Sequence, residues 1–208
     1  MRYIRWVDMS IQDSAPDRSG RHSVLATARR AADLVNVLTA EADATVDAVA
    51  AVLRSYGEAE PVTLTPDDVR AMRTAAGLLR EVFAAASPPA QNAESATGTV
   101  DGAALVLNRL LQEHTGPLRL TAHRGATPWH PHLDRDDDGP WDAWLLASSC
   151  MALAVLLWDH QRPPGRVCAS PSCGQVFIAH GSGPERRYCS RRCATRERVA
   201  AHRRARSG

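Results

Sequence analysis

Four of the five cysteines fall within 26 residues, in the order Cys168-x4-Cys173, fifteen intervening residues, then Cys189-x3-Cys193. Two short-spaced pairs joined by a longer excursion can place four thiolates around one tetrahedral ion, with Zn–S bonds of ~2.3 Å. A segment of about 45 residues cannot bury enough apolar surface to hold itself together without such a staple. The local sequence suits the task. Ala169-Ser170-Pro171-Ser172 followed by Gly174 reads as a turn that folds the first pair around a metal. The stretch QVFIAHG reads as a strand of a hairpin that returns through Arg187-Tyr188, and Cys189 and Cys193, four apart, point from one side of a helix start. The expected unit is a treble-clef-like finger with Cys168, Cys173, Cys189 and Cys193 as the metal ligands. One Zn²⁺ per chain is expected, in a structural role, because the cage leaves no coordination position for water.

Two other uses of these cysteines fit less well. Paired disulfides belong to oxidising compartments, and Met1–Asp8 carries Arg2, Arg5 and Asp8 with no apolar run of the secretory kind. A reactive thiol would be one cysteine singled out by a partnered base, whereas a single cage accounts for all four. His180, between the pairs, could replace one Cys as ligand and reads better as an exposed turn residue. Cys150, in an apolar stretch, reads as a small core residue.

Charge separates the same two parts of the chain. Residues 162–208 hold eleven Arg against two acids, a net +9, while the other 161 residues hold 14 Arg against 21 acids, a net −7. An acidic body with a basic module points to a polyanionic partner for the module. After Cys193 the chain reads ATRERVAAHRRAR, rich in helix formers and free of Gly and Pro. Arg192, Arg196, Val199, Arg203 and Arg206 share one helical stripe; Arg191, Arg198 and Arg204 extend the charge to neighbouring faces, and Arg186 and Arg187 approach from the hairpin. A basic helix fixed at one end by a metal suits a DNA groove, with guanidinium groups on phosphates and one or two on guanine. RNA fits less well, since the module has only Phe177 and Tyr188 for base stacking.

The remainder reads as a mostly helical body with a small β element, so the fold class is α+β. Helices are expected from Ser23 through Leu38, from Thr45 to Tyr56 before Gly57, and from a Thr65-Pro66-Asp67-Asp68 start to about Ala86. After a polar linker, QNAESATGT, a fourth covers Asp101–His114. Leu118–Ala122 and Trp129–Leu133 read as a hairpin turned near Gly125-Ala126-Thr127, and a fifth helix runs from Trp141 to about His160. Its uncharged core, Ala143–Trp158, is 16 residues long, shorter than the roughly 20 needed to span a bilayer, and reads as a buried helix of a cytoplasmic protein with no membrane partner. Pro163-Pro164-Gly165 is the natural joint, dividing the chain into a body, 1–162, and a finger, 163–208.

The tail resembles the CGNR zinc fingers, which combine a C-x4-C pair, an aromatic strand, Arg-Arg-aromatic-Cys-Ser, and a fourth Cys followed by Gly-Asn-Arg and a basic helix. The matching residues are Cys168–Cys173, Val176-Phe177, Arg186-Arg187-Tyr188-Cys189-Ser190 and Cys193-Ala194-Thr195-Arg196. Ala194-Thr195 replaces Gly-Asn, Ala179 stands where an acid is expected, and Arg196 keeps the Arg of the tetrapeptide. Such fingers commonly follow an ABATE domain with an LDFVNT-like helical segment, to which Asp33-Leu34-Val35-Asn36-Val37-Leu38 is similar. The resemblance implies a bacterial, stress-induced transcriptional regulator whose N-terminal domain senses a ligand or mediates assembly.

The expected function is zinc-dependent DNA binding through Arg186, Arg187, Arg191, Arg192, Arg196, Arg198, Arg203 and Arg204, with a small-molecule effector or a second protomer as partner of the body. The alternative is a zinc-stabilised protein-interaction module without nucleic acid. No enzymatic role is expected: His123, His130, His132 and Asp134 lie close in sequence but form no recognised nucleophile or open metal site.

Overall fold

A computed structural model describes residues 23–40, 44–58, 60–87, 96–125, 129–135, 139–179 and 186–207. The apolar patch at residues 3–7, the SAPDRSG stretch and His180 lie outside them. The described chain is mostly helical, with two small antiparallel strand pairs.

The first three body helices begin where the sequence offers a cap. In α1 (Val24–Leu38) the Ser23 hydroxyl accepts from the Ala26 N–H, and in α2 (Val46–Ser55) Thr45 does the same for Ala48. Before α3 (Pro66–Ala85) Thr65 and Asp68 form a reciprocal capping box with Pro66 in the first turn. Helix α4 (Ala96–His114) starts five residues before the expected Asp101, so the end of the polar stretch taken for a linker is helical. Strands β1 (Arg119–Thr121) and β2 (His130–His132) pair with Leu120 opposite Pro131, as the alternation suggests. Helix α5 (Trp141–His160) has the expected bounds.

Helices α1, α3 and α4 pack around α5, and Leu34, Leu79, Phe83, Leu110 and Leu153 are fully buried in the shared core. By length and composition α5 could cross a membrane; here it is the central helix of the bundle. Apolar residues recur all round it, as expected for a helix covered on several sides. Cys150 lies on this helix, fully buried, and burial pushes its thiol up to about 12.

The finger contributes β3 (Gly165–Val167), β4 (Val176–Ile178) and α6 (Arg191–Ser207). Strand β4 pairs with β3 across the first cysteine pair. The expected return through Arg187-Tyr188 is not a strand; it meets the knuckle where the Ala169 N–H donates to the Arg187 carbonyl at 2.9 Å. Turn closure between Cys168 and Cys173 brings β3 alongside β4 first, leaving the later segment to cover the cage.

The joint itself is buried. Pro163, Pro164 and Gly165 are all inside, and a Cβ on Gly165 would meet Phe83 Cε1 and the Phe177 carbonyl, both at 2.6 Å. Strand β4 serves both parts of the molecule. Its period-two pleat sends Val176 and Ile178 into the helical core and Phe177 into the small cluster around Cys168 and Cys193.

Candidate metal centre

The cage is assembled from the knuckle before β4 and the first turn of α6. The Cys168 N–H donates to the Gln175 carbonyl at 2.7 Å and the Cys173 N–H to the Ser170 carbonyl at 3.0 Å, which closes the first pair. Gly174 follows at φ +33°, in the left-handed region that favours glycine, and there its carbonyl accepts from the Arg80 guanidinium at 2.5 Å. At the second pair Ser190 caps α6: its hydroxyl accepts from the Cys193 N–H at 3.3 Å, and its carbonyl from the Ala194 N–H at 3.1 Å.

These constraints bring the sulfurs of Cys168, Cys173, Cys189 and Cys193 within 4.8 Å of one another. Cys173 and Cys189 are 3.5 Å apart and Cys189 and Cys193 3.7 Å. Four sulfurs bonded to one zinc at ~2.3 Å lie ~3.8 Å apart in a tetrahedron, so the set fits the ion and is far from disulfide contact. All five cysteines are free thiols.

Without metal Cys173, Cys189 and Cys193 do not ionise alike. Burial pushes Cys189 up to about 12 and raises Cys173, whereas the Ser190 hydroxyl bond holds Cys193 near 7. Zinc ligation requires all four as thiolates, so metal uptake releases protons and weakens as pH falls. Backbone and side-chain donors already face the sulfurs: the Cys189 N–H lies 3.4 Å from Cys168 Sγ, and Arg196 Nη2 lies 3.5 Å from Cys193 Sγ.

Residues 165–206 match the CGNR zinc finger family model. No curated protein matches the chain. The four cysteines of this segment are positioned to hold one metal ion, and the donor set and the closed cage fit one structural zinc ion.

Around the cysteine cage the basic residues divide by what they touch. Arg196, the arginine of the tetrapeptide, turns back on the knuckle, where Nη2 donates to Ser170 Oγ at 2.7 Å as well as facing Cys193. Ser170, itself buried, donates to Glu197 at 2.5 Å, so Ser170, Arg196 and Glu197 tie α6 to the first cysteine pair. Nothing in the sequence pattern assigned Ser170 or Glu197 to this brace. Arg186 sits 5.4 Å from the Phe177 ring and donates to the Cys189 carbonyl at 2.8 Å.

With Arg196 and Glu197 against the cage, a 3.6-residue helix turns Arg191, Arg198 and His202 outward, flanked by Arg192 and Arg203. These residues, Arg187 and Arg204 are exposed, and no side chain from Ala194 to Arg206 is buried. Ala194 and Thr195, in place of Gly-Asn, lie within the start of α6.

The finger is also clamped to the body by residues whose part sequence reasoning did not see. Asn36 of α1 pairs with the backbone of Val176: its Nδ2 donates to the carbonyl at 2.9 Å and its Oδ1 accepts from the N–H at 2.8 Å. The side-chain amide thus acts as a one-residue strand on the edge of β4. The Ser87 hydroxyl accepts from the Val167 N–H at 2.9 Å on the neighbouring strand. Asn36 belongs to the LDFVNT-like segment, and that was the available signal. His132 does not join the cage: its Nδ1 is 3.0 Å from Asp134 Oδ2, at the end of the β1–β2 hairpin.

Proposed function

We propose that the CGNR finger docks this chain on duplex DNA and that the protein acts as a zinc-dependent transcriptional regulator. The observation that carries the reading is a helix whose first turn is fixed by four metal ligands and whose outward face bears Arg191 and Arg198, with Arg192 and Arg203 beside them. A rigid anchor lowers the entropy lost when such a helix enters a groove. The exposed guanidinium groups supply phosphate neutralisation and bidentate contacts to guanine. Arg186, Arg187 and Arg204 extend the basic surface, while Arg196 contributes mainly by bracing the cage.

In this reading the zinc is structural, the chain is not an enzyme, and it works in the bacterial cytoplasm. A single finger has a small footprint, so a second protomer or a second contact supplies specificity. The body, whose Asp33–Leu38 segment resembles that of ABATE domains, provides the regulatory input.

The test is an anisotropy titration of the zinc-loaded full-length protein with random duplex DNA at several salt concentrations, beside Arg198→Ala/Arg203→Ala. Binding should weaken steeply with salt, and the double variant should lower the log–log salt slope by about 2 while retaining its zinc. No binding at low salt with one zinc per chain would replace this reading with a protein-interaction module.

A further inference from the structure

A cleft of about 280 Å³ opens where the body meets the finger. Arg29 and Asp33 of α1 and Tyr56 after α2 line it from the body; Phe177, Arg186 and Cys189 line it from the finger. It is just below the usual size of small-molecule pockets and too small for a folded partner.

Its polar groups are arranged with a division of labour. The Tyr56 hydroxyl donates to Asp33 Oδ2 at 2.6 Å. Burial, and then the Asp33 carboxylate, raise the Tyr56 pKa well above its ordinary value, so the phenol keeps its proton and stays committed to Asp33. Asp33 Oδ1 makes no further hydrogen bond among the described residues and is open to a donor. The Arg29 charge lies close enough to Tyr56 to oppose that rise in pKa, yet among the described residues no hydrogen bond or ion pair engages its guanidinium. Arg186 uses Nη2 on the Cys189 carbonyl and retains its other donors. Two guanidinium groups and one carboxylate therefore line one cleft, Arg29 and Asp33 from the body wall and Arg186 from the finger, with Phe177 beside them.

We propose that this cleft binds a small oxyanion, a carboxylate or phosphate ester, that also carries a hydrogen-bond donor. The oxyanion is held between Arg29 and Arg186, whose forked donors match two-oxygen acceptors, and the donor group is received by Asp33. Because its groups come from α1 and from the finger, the occupant favours the docked arrangement over any in which the two separate. Cys189 is in the same cleft, so occupancy also shields one zinc ligand. The inference stands apart from DNA binding and would hold for a finger that binds none.

The experiment uses zinc-loaded full-length protein without DNA, titrated calorimetrically at constant ionic strength with succinate, L-glutamate and glycerol 3-phosphate, with glycerol as the neutral control. At least one of the three anions should bind saturably in the millimolar range or tighter, and glycerol should not. Arg29→Ala should weaken that binding by about tenfold or more. Asp33→Asn should weaken the probes that carry a donor and leave succinate unchanged, a split that general misfolding does not produce. Zinc content and helical signal, measured on each variant, confirm that the cage and body persist. Bound anion should slow zinc transfer to a chromogenic chelator several-fold in the native protein and not in Arg29→Ala. The proposal is overturned if none of the three anions binds, or if binding is indifferent to Arg29→Ala. It also falls if Arg29→Ala weakens duplex DNA binding and no small anion competes, since the cleft would then belong to the DNA track.

Discussion

In the body, Leu79, Phe83, Leu110 and Leu153 are fully buried in a cluster shared by several helices, whereas in the finger the buried cluster consists of Cys168, Phe177 and Cys193. The first region is held by apolar area removed from water, the second by four coordinate bonds and by a loan of β4 side chains to its neighbour. Burying a leucine or phenylalanine contributes about 1.5–3 kcal/mol, and the body has many. A structural zinc contributes about 10–16 kcal/mol at a single point. The contrast explains why substitutions should act in opposite ways: the body can lose one residue and survive, while the finger cannot lose one ligand.

The sharpest way to break this comparison is Cys193→Ser, or zinc removal by a chelator. The finger should lose its metal and α6 should unfold, seen as loss of amide protection in β3 and α6, while the body retains a cooperative thermal transition at a lower midpoint. If the body melts together with the finger, the two regions form one cooperative unit and the contrast fails. Leu153→Ala should come next, costing about 2–5 kcal/mol by leaving a cavity beside α1, α3 and α4, with zinc stoichiometry unchanged. Denaturant unfolding with a parallel zinc assay measures both halves.

The seam between the regions is tested by Asn36→Ala, which removes both bonds to Val176 and leaves a buried donor and acceptor unmatched. A loss of about 1–3 kcal/mol is expected, with hydrogen exchange at Val176 accelerating more than exchange deep in α5. Uniform acceleration would show that Asn36 supports the body and not the docking.

The smallest effect belongs to the α3 cap. Hydrogen bonds from Thr65, side chain and then backbone, lower the Asp68 pKa. A carboxylate with a depressed folded pKa stabilises above its unfolded value and loses that contribution as pH falls through the folded one. Stability of the native protein should therefore decline over the acid range below the ordinary Asp pKa, and Asp68→Asn should flatten that part of the curve by about 1 kcal/mol or less. The zinc site has its own acid sensitivity, so a Cys193→Ser background isolates the cap.

Much of this architecture was legible because it is written in local code. Ser23, Thr45 and the Thr65–Asp68 box announce helix starts, and the cysteine spacing announces a cage whose sulfur separations fit one ion. Sequence and structure differ where local cues compete with packing. The polar stretch before Asp101 contains Thr and Gly, which favour loops, yet α4 extends back to Ala96. Arg187-Tyr188 reads locally as the return of a hairpin, but the turn at Cys168–Cys173 gives β4 the nearer partner, β3. Pro163-Pro164-Gly165 has the composition of an exposed linker and is buried, because Gly165 allows the close approach of Phe83.

The arginines show the same limit more finely. Helical periodicity groups Arg192, Arg196 and Arg203 on one stripe, and it cannot say that Ser170 lies within reach of Arg196. Spacing, capping residues and charge asymmetry, each carried by neighbours along the chain, determined that there would be a helical body, a four-cysteine zinc cage and a basic terminal helix. Tertiary structure decided that Arg196 braces the cage, that Asn36 completes the edge of β4 and that a polar cleft forms beside it. Those contacts join residues far apart in sequence, and only packing β4 against α1 brings their donors and acceptors within bonding distance.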